Sequence, residues 1–188
     1  RPAQIESFRW QLRLARKLDK PVIVHCRDAH TDVLELLREV PGLRGVMHCY
    51  TLGVEELPAY VALGMCISFS GVVTYPRNER IRAAARAVPE ELLLVETDCP
   101  YLAPVPHRGK KCEPAFVRHT AEYIAALRGI PLSELAAATE ATAERFFRFA
   151  VRRRRDRVCD FLARAETAID QLAIDQLLQP RFVFGHVF

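Results

Sequence analysis

The stretch LLLVETDCPYL, residues 92–102, sets a run of four aliphatic side chains directly against Glu96, Thr97 and Asp98. A short, continuously apolar run bounded by polar residues reads as a strand covered on both faces. Side chains alternate across a strand, so two carboxylates spaced by two residues fall on the same side of the sheet, at the carboxyl end of this one. Three further runs have the same form. Pro21 opens an apolar run that ends at His25, Gly45 to Met47 leads to His48, and Met65 to Phe69 ends in Ser70 and Gly71.

Between these runs the period changes. Ile5, Phe8, Leu12 and Ala15 repeat at helical spacing over residues 4–18, and Val33, Leu34, Leu36 and Leu37 form a stripe over 32–40 that Pro41 and Gly42 stop. Residues 55–63, closed by Gly64, and 79–88, followed by Pro89, read as two more helices, and residues 114–127 and 132–149 as a final pair. Strands beginning near 21, 45, 65 and 92 in alternation with helices indicate βα units and a parallel sheet, hence an α/β fold. No Gly-x-Gly-x-x-Gly turn or Walker loop follows any strand. That argues against a nucleotide cofactor and favours a barrel over a doubly wound sheet.

Composition narrows the class. The 188 residues are 50% hydrophobic and 27% charged, the balance of a globular chain with a real core. No apolar run approaches the roughly 20 residues needed to cross a bilayer, so no membrane contact is expected. Six scattered cysteines without a Cys-x-x-Cys pair point to reduced thiols and a cytoplasmic protein rather than a zinc ribbon or a disulfide framework. The net charge of +4 is compatible with a phosphate-bearing partner without requiring one.

His25, His48 and Asp98 each stand at the carboxyl end of a separate apolar strand, where parallel α/β folds place their sites. Imidazoles and carboxylates are suitable ligands for a divalent metal, and three strand ends converging on one point would form a shell. The alternative for each histidine is a core or capping role satisfied by a backbone carbonyl. Glu96 either orients a ligand or Arg27, or forms a structural ion pair. Tyr101 either stacks on a base or packs in its loop. The loop HRGKK, residues 107–111, follows the Asp98 strand and would overhang the same mouth, which makes Arg108 and Lys110 candidates for phosphate contact. His30 and His119 lie on helices and read as solvent or packing residues, and no motif marks His186.

The segments PVIVHCRDA, GVMHCY, LGMCISFSG, LLLVETDCPYLAPVPHRGK and CEP, in this order and spacing, resemble successive motifs of the TatD family of metal-dependent hydrolases, over residues 3–149. The resemblance implies a TIM-type (β/α) barrel of the amidohydrolase kind, here incomplete, with about four βα units plus C-terminal helices corresponding to the C-terminal part of the family's barrel. It implies a deoxyribonuclease that cleaves DNA with divalent cations, two per complete site, Mg²⁺ foremost and Mn²⁺ or Zn²⁺ as substitutes. On it, His25, His48 and Asp98 match metal ligands, with Asp98 also the catalytic base, and Arg27 matches an arginine beside the first histidine. An esterase acting on mischarged aminoacyl-tRNA would use the same metal site. A non-catalytic remnant is the third reading.

Departures from the pattern carry as much weight. The family's opening His-x-His is found nowhere in the chain, and no residue supplies its metal-bridging glutamate. Four βα units cannot close a barrel of eight strands, and would leave two sheet edges open. Thr51 and Leu52 replace Ser-Gly, Cys112 stands where Asn precedes Glu113-Pro114, and Thr142 replaces an Asn in the last helix. Residues 150–188 lie beyond the resemblance as an unrelated basic and amphipathic extension. Val158, Phe161, Leu162, Ala165, Ile169, Leu172 and Ile174 suggest a helix that covers core or meets a partner. Arg152 to Arg155 read as its solvated start or as a phosphate contact.

Overall fold

A computed structural model describes residues 2–148 and the strand 183–187. Helix α1 (Pro2–Lys17) leads into β1 (Val22–Cys26), followed by α2 (His30–Arg38), β2 (Gly45–His48), α3 (Leu57–Ala62) and β3 (Cys66–Phe69). Then come α4 (Glu79–Ala87), β4 (Leu93–Val95), α5 (Val117–Arg128), α6 (Leu132–Phe147) and β5 (Val183–Val187). All pairings are parallel, in the spatial order β4-β3-β2-β1-β5. The first four strands lie side by side in chain order with no reversal. That is the arrangement of consecutive barrel units, whereas a doubly wound sheet has a switch point where the order turns back.

The two faces of the sheet differ. Val22, Val24, Met47, Ile67, Phe69 and Leu93 are buried against the helices in the main core, together with Phe8 and Leu12 of α1, Tyr60 of α3 and Ile124 of α5. On the opposite face Val46, Cys66 and Leu94 pack with Phe146 and Phe147 of α6. The backbone carbonyl of Phe146 accepts a hydrogen bond from Arg44, just ahead of β2, and Arg145 and Thr142 donate to the carbonyls of Glu91 and Glu90, just ahead of β4. Helix α6 therefore crosses beneath the amino ends of the strands. The carboxyl ends of the same face are left for the polar residues.

The expected elements are present with shifted ends. The strand of the LLLVETDCPYL stretch is only Leu93–Val95, because Glu90–Leu92 coil into a 3₁₀ turn. The helix expected from residue 114 opens as a 3₁₀ turn at Pro114–Phe116 and becomes α-helical at Val117. It ends at Gly129, whose φ of +69° suits a residue without a Cβ. Strand β5 was not expected. It runs parallel to β1 in the register Val22↔Val183 to Cys26↔Val187, covering one of the two edges that four units would leave open. The amphipathic helix and the Arg152 to Arg155 run of the extension lie outside the described residues. No helix among the described residues is long and apolar enough to cross a membrane. The five described cysteines, Cys26, Cys49, Cys66, Cys99 and Cys112, are free thiols.

Candidate metal centre

His48 is the last residue of β2, and the chain leaves the strand through Cys49 at φ +47°, a left-handed conformation that non-glycine residues disfavour. Two contacts hold this turn. The Cys49 N–H donates to Oε1 of Glu96 at 2.7 Å, and its Sγ lies 3.0 Å from Oγ of buried Ser70. Glu96 is set by the sheet itself, because its N–H donates to the Phe69 carbonyl and so extends the β3–β4 ladder by one residue. Asp98 follows two residues later, and its carbonyl accepts from the Tyr101 N–H at 2.8 Å in a tight turn.

The two carboxylates meet on one imidazole. Glu96 Oε1 lies 2.8 Å from Nδ1 of His48, and Asp98 Oδ1 lies 3.3 Å from Nε2. Burial opposes charging the His48 ring, but the hydrogen bond and charge of Glu96, joined by Asp98, outweigh it and hold the pKa above its ordinary value. Burial pushes the adjacent Cys49 thiol up to about 12, aided by the same two carboxylates against the opposing Ser70 contact. The thiol therefore stays protonated at neutral pH and is a poor ligand or nucleophile. Glu96 Oε1 is engaged by His48 Nδ1, and Arg27 is exposed.

His25 stands in register with His48 on the neighbouring strand, with the ring centroids 6.1 Å apart and tilted by 42°. Two donors bound side by side to a metal at about 2.0–2.2 Å stand roughly 3 Å apart, which the His48–Asp98 separation matches. That pair fits one side of a divalent-metal shell. Among the described residues no three His, Cys, Asp or Glu side chains are gathered closely enough to hold an ion by themselves. His25 thus lies beside the pair rather than in one tight cluster with it.

The loop beyond Asp98 is anchored from a place the sequence does not reveal. A 3₁₀ turn at Gly71–Thr74 follows β3; Thr74 Oγ1 accepts the Val105 N–H at 2.9 Å, and the Tyr75 hydroxyl donates to the Ala103 carbonyl at 3.0 Å. Arg108 lies over the Tyr75 ring at 4.5 Å, so one face of its guanidinium is spent on packing. Tyr101 is 70% exposed and does not pack in its loop, and Lys110 is exposed as well. His107 is stacked on Phe116, and its Nε2 lies 3.1 Å from Nε2 of His119. His30 bonds the buried Tyr60 hydroxyl through Nδ1 at 2.9 Å, a packing role. The two-residue spacing of Glu96 and Asp98 announced a shared side. Nothing local announced that Glu96 would also fasten Cys49, or that Ser70, Thr74 and Tyr75 would brace the site.

A sequence model of the family described as TatD related DNase matches residues 1–148. The chain is 52% identical over 146 residues to the uncharacterized metal-dependent hydrolase YcfH of Escherichia coli K12, covering 77% of this chain and 55% of that protein. It is 40% identical over 154 residues to the 3'-5' ssDNA/RNA exonuclease TatD of Citrobacter rodentium, covering 77% and 58%. The crystal structure of YJJV, a TatD homologue from Escherichia coli, superposes with a TM-score of 0.68 at 29% identity over 73% of this chain and 53% of that one. The chain spans about half the length of the curated relatives it matches. With the strand-end histidines and Asp98 at the carboxyl ends of one parallel sheet and the match running through all four βα units, the chain belongs to the TatD related DNase family.

Proposed function

We propose that the chain carries one side of a divalent-metal site that hydrolyses phosphodiester bonds of DNA. The observation that carries this reading is the convergence of Asp98 and Glu96 on opposite nitrogens of His48 at the carboxyl end of the sheet. His48 and Asp98 would hold the ion, with His25 beside them as the next donor. When bound, a divalent cation lowers the pKa of water from about 15.7 toward about 7 and offsets charge developing on the phosphate. Mg²⁺ suits the carboxylate, and Mn²⁺ or Zn²⁺ suits the mixed nitrogen and oxygen set.

The chain's own residues have separable tasks. Glu96 fixes the His48 ring by accepting its Nδ1–H, which leaves Nε2 turned toward Asp98. Asp98, about one third exposed, would accept a proton from a water entering from solvent. Exposed Tyr101 offers a face for a nucleic-acid base, and Arg108 and Lys110 offer charge to the backbone. A single-stranded substrate is favoured by the likeness to the 3'-5' ssDNA/RNA exonuclease TatD of Citrobacter rodentium. The reducing cytoplasm is the compartment that keeps the described cysteines as thiols.

The test is an assay of the full chain on single-stranded DNA with Mg²⁺, Mn²⁺ or Zn²⁺, beside Asp98→Ala, with calorimetry of Mn²⁺ binding on both. We expect Asp98→Ala to lower Mn²⁺ affinity at least tenfold and to abolish any cleavage. Cleavage that survives the substitution, or a Mn²⁺ affinity that the substitution leaves unchanged, removes this site from the reaction.

A further inference from the structure

A second imidazole cluster lies outside the strand-end site. His107, in the loop that carries Arg108 and Lys110, brings its Nε2 to 3.1 Å from Nε2 of His119 on α5. Both rings are constrained. His107 is stacked on Phe116 at a centroid distance of 4.0 Å and an interplanar angle of 7°, and the two histidine rings lie 4.9 Å apart at 48°. Behind His119, Glu122 Oε2 stands 3.5 Å from Nδ1, while Oε1 of the same carboxylate accepts from Arg118 Nε at 2.8 Å.

We propose that His107 and His119 form a binding site for a transition-metal cation of the Zn²⁺ or Cu²⁺ class, which clasps the 107–111 loop to α5. Two imidazole nitrogens bound side by side to such an ion at about 2.0–2.1 Å stand roughly 2.9–3.4 Å apart, and the 3.1 Å separation falls in that interval. Glu122 supplies the carboxylate that commonly backs a ligating imidazole, favouring the tautomer with the proton on Nδ1 and the lone pair on Nε2. Without the ion, a hydrogen bond between one Nε2–H and the other Nε2 closes the same contact. Binding moves that one proton to Nδ1 of its own ring and releases none from the neutral pair. Nitrogen donors select against Mg²⁺. With two protein ligands, the ion keeps open positions for water and exchanges readily.

The proposal is tested apart from the strand-end site by working in the full-length Asp98→Ala chain. Zinc chloride titrated by calorimetry should show a site whose affinity falls at least tenfold in the added double substitution His107→Ala/His119→Ala, and several-fold with Glu122→Gln. Zn²⁺ should also raise the thermal midpoint of the Asp98→Ala chain, and the rise should disappear in the double variant. Unchanged Zn²⁺ affinity in a double variant whose circular dichroism matches its parent overturns the proposal. Should that variant fail to fold, Cu²⁺ bound to the Asp98→Ala chain with His25→Gln and His48→Gln added, which lacks the strand-end imidazoles, decides by electron paramagnetic resonance. Two equatorial imidazole nitrogens support the clasp, and one or none overturns it. Loss of nuclease activity with Asp98→Ala leaves this result untouched, so the two proposals fail separately.

Discussion

Glu96 and Asp98 are separated by one residue and divide the work on a single ring. Glu96 Oε1 is bound both by the Cys49 N–H and by Nδ1 of His48, whereas Asp98 reaches Nε2 from the more exposed side. Replacing Glu96 by alanine removes the group that orients His48 and leaves the Cys49 N–H without its acceptor. We expect Mn²⁺ affinity to fall by about 10–100-fold, the usual effect of losing a residue that orients a metal ligand, read by titration calorimetry. Thiol reactivity is a second check. Among the described cysteines, exposed Cys99 should be alkylated first by iodoacetamide, while Cys49 and Cys66, both buried, with thiols raised to about 12 and about 11 chiefly by desolvation, should stay unlabelled in peptide maps of the native chain. At this scale the sequence disclosed the residue types and that Glu96 and Asp98 share a side, because side-chain alternation along a strand is local. It left open whether Glu96 faces Arg27, a ligand or an ion-pair partner, because its contact with His48 joins residues on separate strands.

At the scale of elements, the short strand β4 and the turn after β3 decide how the site is framed. Glu96 and Asp98 lie past the end of β4, so their placement depends on the one extra ladder bond to Phe69 and on the loop that returns across Gly71. A Cβ at Gly71 would stand 2.7 Å from the Pro104 backbone nitrogen, close against main chain that cannot swing aside. Gly71→Ala should therefore displace the 102–105 loop and lower stability by roughly 1–3 kcal/mol, measured by chemical denaturation. The strand and helix order was legible in the apolar periods. The 3₁₀ turns at Glu90–Leu92 and Pro114–Phe116 were not, since they shorten an expected strand and helix at their ends, where hydrogen bonds to neighbours rather than periodicity set the boundary. The commitment of Arg108 to the Tyr75 face was equally hidden, because the two residues belong to separate loops.

For the molecule as a whole, the main question is the edges of the sheet. Its order, β4-β3-β2-β1-β5, puts the strand Val183–Val187 on the edge of β1 that the four βα units would otherwise leave unpaired. An uncovered parallel edge exposes a row of N–H and C=O groups that invite association with other chains. Deleting residues 149–188 should accelerate amide exchange in Val22–Cys26 and raise the mean mass found by light scattering above that of the full chain under the same conditions. A truncated chain with unchanged mass and exchange would show that β5 does not protect the edge.

The sequence by itself determined the alternation of strands and helices, the α/β class and the polar residues at the strand ends, because each of these is written in local spacing of apolar and polar side chains. Only the tertiary structure decided that Glu96 and Asp98 converge on His48, that His107 meets His119, and that the far end of the chain pairs with β1. Those contacts join residues 12 to about 160 positions apart. Pairings at such separations depend on register, strand order and packing of the whole sheet, which no local pattern encodes.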